Sequence, residues 1–147
     1  MSKTRILIHL VFSTKNRYQT IPLLRKRDLY AYINGILNSE KCKTLRINGM
    51  SDHIHILFDL HPSIALANLV KKIKQSSSVW MGASPYFCLF EGWSHGYYAA
   101  SIGPDEEAVC KEYIKNQEIH HGGKELVEEM KELSLTYHLD WDDRDWE

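Results

Sequence analysis

The pattern of apolar and polar positions divides the chain into alternating strands and amphipathic helices. Alternation from Arg5 to Ser13 is apolar on both faces, which predicts a strand at the centre of a sheet. A second alternating stretch, residues 51–59, places Ile54 and its apolar neighbours on one face and puts His53 and His55 together on the other. The period of two therefore predicts a strand that presents two imidazoles in the same direction.

The remaining elements complete one small domain. Helical spacing of apolar residues predicts helices over 22–38, 63–82 and from 105 onward, and further strands are predicted over 43–47 and 96–102. The turn signal Asn48-Gly49 joins the second and third strands into a hairpin. The order strand, helix, strand, strand, helix, strand predicts an α+β, ferredoxin-like or RRM-like antiparallel sheet with helices packed on one face, plus a C-terminal helix that carries Tyr113.

Length and charge narrow the class of protein. A chain of 147 residues with 44% apolar content suits one domain, predicted over 1–132 and followed by an acidic tail at 133–147. No apolar run approaches the length of a membrane helix and no signal-peptide layout is present, so we expect a soluble, cytoplasmic protein. Residues 1–74 hold 13 Lys and Arg against 4 Asp and Glu, whereas residues 75–147 hold 5 against 15. The basic half indicates a partner that carries phosphates.

Two basic segments are candidate contacts for a nucleic-acid backbone. The segment Thr14 to Tyr18 is basic and aromatic, and it is either a solvated connection or a DNA contact made by Lys15 and Arg17. In the second predicted helix, Lys74 belongs to a lysine-rich face and is followed by hydroxyl groups, including that of Ser77, that can bind phosphate oxygens.

The two histidines and the C-terminal helix suggest a metal site. Tyr113 and Gln117 are four residues apart, so they lie one turn apart on one helix face. Gln117 could join His53 and His55 in a site with open positions, a donor set that suits Mg²⁺ or Mn²⁺ in phosphate chemistry. The alternative interpretation is that the pair is a coincidence among eight histidines and that Tyr113 is an ordinary core residue.

These motifs resemble those of a known family. His53-Ile54-His55 followed by Tyr113-x-x-x-Gln117 is similar to the pattern of single-tyrosine HUH transposases of bacterial insertion sequences, which are TnpA-like and related to REP-associated tyrosine transposases. The segments 9–17, 74–77 and 93–98 also look like family segments in the family order, so the resemblance spans about residues 5–120.

The resemblance implies a homodimeric enzyme that cleaves and rejoins single-stranded DNA carrying a hairpin at the ends of its element. Tyr113 would attack a phosphodiester to give a 5′-phosphotyrosine, with Mg²⁺ or Mn²⁺ held by His53, His55 and Gln117. Two alternatives stay open at this point. One is a non-catalytic nucleic-acid-binding module that stacks bases on Tyr97 and Tyr98, and the other is a metal-dependent phosphohydrolase in which water attacks.

Overall fold

The computed structural model describes residues 1–120, 125–142 and 144, and a four-stranded antiparallel sheet lies at its centre. The strands, in the spatial order β2-β3-β1-β4, are Leu7–Ser13 (β1), Lys43–Gly49 (β2), His53–Asp59 (β3) and Tyr98–Ile102 (β4). The helices are Lys26–Ser39 (α1), Leu66–Gly82 (α2), Glu107–Lys115 (α3), Gln117–His120 (α4) and Leu126–Thr136 (α5). The predicted α+β, ferredoxin-like fold is confirmed.

The first main core lies between one face of the sheet and helices α1 and α2. Leu10 of β1 and Phe58 of β3 point to this side, where they pack with Ile33 of α1 and Ile73 of α2. Because β1 and β3 are the two inner strands, both of their faces need cover, as the two-sided apolar pattern of β1 predicts.

The other face of the sheet is covered by the C-terminal helices. Leu57 of β3 packs against Ile114 of α3, and Val11 of β1 packs against Met130 of α5. The two histidines of β3 lie on this face, and each is 0% exposed. The histidine strand is therefore buried on both sides.

The predicted β2–β3 hairpin forms, but Asn48 and Gly49 pair within β2 and the turn lies at residues 50–52, directly before the histidine strand. A Cβ atom added to Gly49 would lie 2.1 Å from the carbonyl oxygen of His53, so only glycine permits the close approach of the two strands. The backbone N–H of Met50 donates to the same oxygen at 3.0 Å.

Several element boundaries differ from the sequence-based expectation. The fourth strand begins at Tyr98 rather than at residue 96, because Gly96 has a positive φ of 78° that interrupts extended backbone. A short 3₁₀ turn, Leu23–Arg25, precedes α1 where the sequence predicts one continuous helix. Helix α5 crosses residue 133, where the acidic tail is predicted to begin.

In the described part of the chain, no helix is long and apolar enough to cross a membrane.

Candidate active site

The strand register brings the two predicted histidines onto a common buried face. His55 lies between Val11 of β1 and Asn48 of β2, and His53 lies beside Ser13 at the end of β1. The centroids of the two imidazole rings are 5.0 Å apart, with the rings nearly perpendicular. Both rings point away from the core beneath α1 and α2 and toward the C-terminal helices.

Tyr113 and Gln117 come from two short helices rather than from one continuous helix. Helix α3 ends at Lys115, the backbone turns at Asn116, and α4 begins with Gln117. The side-chain amide of Asn48 donates to the carbonyl oxygen of Lys115 at 3.0 Å, which ties this break to strand β2. Gln117 is 0% exposed, and its Oε1 lies 2.9 Å from Nε2 of His53.

Glu129 of α5 is a member of the cluster that the sequence analysis did not identify. Its Oε1 lies 3.2 Å from Nε2 of His55 and accepts a hydrogen bond from Nε2 of Gln117 at 3.0 Å. The hydroxyl of Tyr113 donates to the same oxygen. Glu129 is 4% exposed, and the available signal for it is an acid placed within the apolar stripe of α5, between Leu126 and Met130.

The outward nitrogen of each histidine is held by a further polar side chain. Nδ1 of His53 lies 2.7 Å from Oδ1 of Asp52, and Nδ1 of His55 lies 2.9 Å from Nε2 of His9. Nδ1 of His9 is in turn 3.2 Å from the hydroxyl of Tyr137. With the protons on the Nδ1 atoms, all three contacts are satisfied, and Nε2 of both His53 and His55 presents a lone pair to the centre of the cluster.

The donor set fits a divalent cation. Ligand atoms of His53, His55 and Glu129 lie within 4.8 Å of one another, and Oε1 of Gln117 adds a fourth donor beside His53. Two imidazoles, one carboxylate and one amide oxygen are ligand types found at transition-metal, Mn²⁺ and Mg²⁺ sites. Hydrogen bonds to the opposite nitrogens, as at Asp52 and His9, are what metal-binding histidines ordinarily make.

Burial shifts the pKa values of two groups in and around this cluster, His9 and Tyr113. Burial, and after it the neighbouring His55, lower the pKa of His9 from 6.5 to about 3, so His9 is uncharged near neutral pH. Burial, and after it the charge of Glu129, raise the pKa of the Tyr113 hydroxyl above its ordinary value. The phenol is thus protonated here and requires added positive charge to become a nucleophile.

The predicted DNA contacts fall into two groups. Lys15 is exposed and Arg17 is half-buried in a 3₁₀ turn directly after β1, and both line a cavity on the histidine side of the sheet. The ammonium group of Lys74 donates to the carbonyl oxygens of Ser94, at 3.0 Å, and Gly96, so this lysine holds the loop before β4.

Ser77 lies inside the fold. It is 0% exposed, donates to the carbonyl oxygen of Ile73 at 2.6 Å and accepts from the indole of Trp93 at 2.9 Å. A contact between Ser77 and DNA would require the loop carrying Trp93 to move away from α2. The DNA-binding role of Ser77 stays a prediction.

The sequence profile of the family described as "Transposase IS200 like" matches residues 2–117, which is most of the chain. The chain belongs to the IS200-like transposase family. It is 25% identical, over 114 residues and 74% of each chain, to the transposase for insertion sequence element IS200 of Salmonella typhimurium, and the Salmonella typhi protein matches equally. Its membership makes it a DNA strand transferase.

A solved structure confirms the family fold. The structure of a REP-associated tyrosine transposase bound to a REP hairpin superposes with a TM-score of 0.64 at 15% identity, covering 83% of this chain and 75% of that one. The family match ends at residue 117. Glu129 and all of α5 therefore lie outside the segment that matches the family.

Proposed function

We propose that this transposase cleaves and rejoins single-stranded DNA by transesterification, with Tyr113 as the nucleophile and with Mg²⁺ or Mn²⁺ held by His53, His55 and Gln117. Glu129 is added to that ligand set. The observation that carries the proposal is the convergence of the Tyr113 hydroxyl, both histidines and Gln117 on the single carboxylate of Glu129. A tyrosine that served only in packing would not need its hydroxyl in a cluster of ligand atoms.

The reaction balances around a single phosphorus atom. The Tyr113 oxygen forms a bond to phosphorus, the bond to the 3′ oxygen breaks, and the products are a 5′-phosphotyrosine and a 3′-hydroxyl. The phenol proton passes to Glu129, which already accepts the hydrogen bond of that phenol, and the leaving 3′ oxygen takes a proton from solvent to become the 3′-hydroxyl. A divalent ion, when bound, polarises the scissile phosphate as a Lewis acid. Attack by a second strand's 3′-hydroxyl reverses the step and rejoins DNA.

The surrounding side chains orient the groups that react. Asp52 and His9 fix the imidazoles of His53 and His55 with Nε2 directed to the site, and Tyr137 supports His9.

The family resemblance and the charge distribution support the substrate and assembly that we propose. We propose single-stranded DNA with an end hairpin as the substrate, docked on the basic first half of the chain through Lys15, Arg17 and Lys74. A homodimer is proposed from the family resemblance, and sedimentation equilibrium tests it.

The decisive experiment is covalent capture of DNA. With Mn²⁺ and single-stranded DNA containing the end hairpin of its own element, the wild-type protein should become attached to the 5′ side of the break. Tyr113→Phe retains the ring and should bind DNA without forming an adduct. Tyr86→Phe is the matched control, because Tyr86 is 52% exposed and outside the cluster, and it should react like the wild type.

Cleavage by Tyr113→Phe at the wild-type rate would identify water as the attacking group and replace the proposal with a phosphohydrolase. Failure of the metal-loaded wild type to cleave its own element's ends would contradict strand transfer by this protein.

A further inference from the structure

A cavity of about 780 Å³ adjoins the candidate active site on the same face of the sheet. Its floor includes Val11, which pairs with His55 on one side and with Tyr98 on the other. Its far wall includes Leu126, one helical turn before Glu129. We call this cavity the β4 pocket. A molecule in the β4 pocket would lie against Val11, the strand neighbour of His55, and against Leu126, one helical turn from Glu129.

The walls of the β4 pocket combine aromatic rings with cations. Tyr97 is 42% exposed and Tyr98 is half-buried, so one ring is presented to the cavity entrance and the other contributes to its base. Lys15 and Arg17 also line the cavity. Rings that stack on a base and cations that meet a phosphate are the two elements of single-strand recognition.

The loop that carries these rings is fixed in place by hydrogen bonds. The backbone N–H of Ser94 donates to the carbonyl oxygen of Ser13 at 2.9 Å, and the two serine hydroxyls are 2.8 Å apart. Lys74 donates to the carbonyl oxygen of Ser94 from the other side. The β4 pocket is therefore preformed, and a ligand entering it has little ordering cost to overcome.

The segment that carries Lys15 and Arg17 is held in an unfavourable backbone conformation. Asn16 and Arg17 have consecutive positive φ values of 56° and 57°. Residues other than glycine rarely adopt this backbone conformation. The hydroxyl of Thr14 donates to the carbonyl oxygen of Tyr18 at 2.6 Å and closes this turn. Strained backbone that neighbouring contacts maintain is concentrated at ligand-binding sites.

We propose that the β4 pocket binds one nucleotide of the DNA strand immediately beside the scissile phosphate, with its base stacked on Tyr97 and its phosphate against Lys15. The inference rests on the proposed function for the identity of the substrate. It assigns Tyr97 and Lys15 as the residues that set the strand's position relative to Tyr113.

The test compares variants of the full chain for binding of a fluorescein-labelled oligothymidylate by fluorescence anisotropy. Tyr97→Ala should weaken binding by about 5- to 150-fold, the range for loss of one base–aromatic stack. Tyr97→Phe should bind as the wild type does, because stacking uses only the ring. Tyr86→Ala, an exposed tyrosine outside the pocket, is the control.

A second readout reports direct contact. An oligonucleotide containing 5-iodouracil, irradiated in the complex, should cross-link to the peptide that contains Tyr97. Wild-type affinity of Tyr97→Ala, or cross-links that avoid this peptide, would overturn the pocket assignment and leave the Tyr113 chemistry intact. Loss of binding in Tyr97→Ala together with normal cleavage by Tyr113→Phe would overturn the proposed reaction and support the pocket.

Discussion

The substitution Glu129→Gln tests whether the carboxylate of α5 is a metal ligand. Glu129 supplies the only carboxylate among the proposed ligands, beside the imidazoles of His53 and His55 and the amide of Gln117, and it is 4% exposed. Glutamine keeps the size and one oxygen but removes the charge. Unit charges about 4 Å apart interact by roughly 4 kcal/mol at an effective dielectric constant near 20. We therefore expect a loss of about 3 kcal/mol, which corresponds to roughly 100-fold weaker Mn²⁺ binding.

The assay is isothermal titration calorimetry of Mn²⁺ into the purified protein. Glu128→Gln makes the same chemical change at the preceding, exposed position of α5, so it controls for the net charge of the helix. Urea unfolding in EDTA verifies that each variant folds. Equal Mn²⁺ affinities for the two variants would refute the assignment of Glu129 as a metal ligand. The remaining role of Glu129 would then be to accept the hydrogen bond from Tyr113.

Two further predictions concern stability. His9 is neutral in the fold because its pKa is lowered to about 3, whereas the unfolded chain takes up this proton below pH 6.5. The free energy of unfolding of the metal-free protein should therefore fall as the pH drops below 6.5, by about 2 kcal/mol at pH 5, and His9→Gln should reduce this slope in urea titrations. An unchanged slope would contradict the reasoning. Gly49→Ala should cost about 3 kcal/mol and weaken Mn²⁺ binding, because the new Cβ would lie 2.1 Å from the carbonyl oxygen of His53. Gly35→Ala in α1, with nothing within 4 Å of its Cβ, should instead be neutral or stabilising by thermal denaturation, and equal losses would refute the hairpin argument.

The burial of the cluster bears on how a substrate reaches it. His53, His55 and Gln117 are fully buried in this structure, beneath α5 and the α3–α4 segment. A scissile phosphate can approach them only if one of these helices shifts. Leu126, near the start of α5, lines the β4 pocket, so a strand bound there would lie against that helix.

The local pattern of the sequence was sufficient for the fold and for part of the site. Alternation with period two specified that His53 and His55 share a strand face, and the Asn48-Gly49 signal predicted the hairpin, although its turn lies at residues 50–52. Each of these features depends only on residues a few positions apart, so it can be predicted from the local sequence. The family motifs added Tyr113 and Gln117, both of which the fold brings to the histidines.

The tertiary structure decided which distant groups complete the site. The pairing of β1 with β3 brings His9 to His55, and the packing of α5 over Val11 brings Glu129 to Tyr113. The sequence shows His9 in an apolar strand and Glu129 in an apolar stripe, but it does not show which face meets which helix. Packing also removed Ser77 from the surface, because its hydroxyl lies where Trp93 closes over α2. Such contacts depend on the docking of whole elements, which local periodicity does not encode.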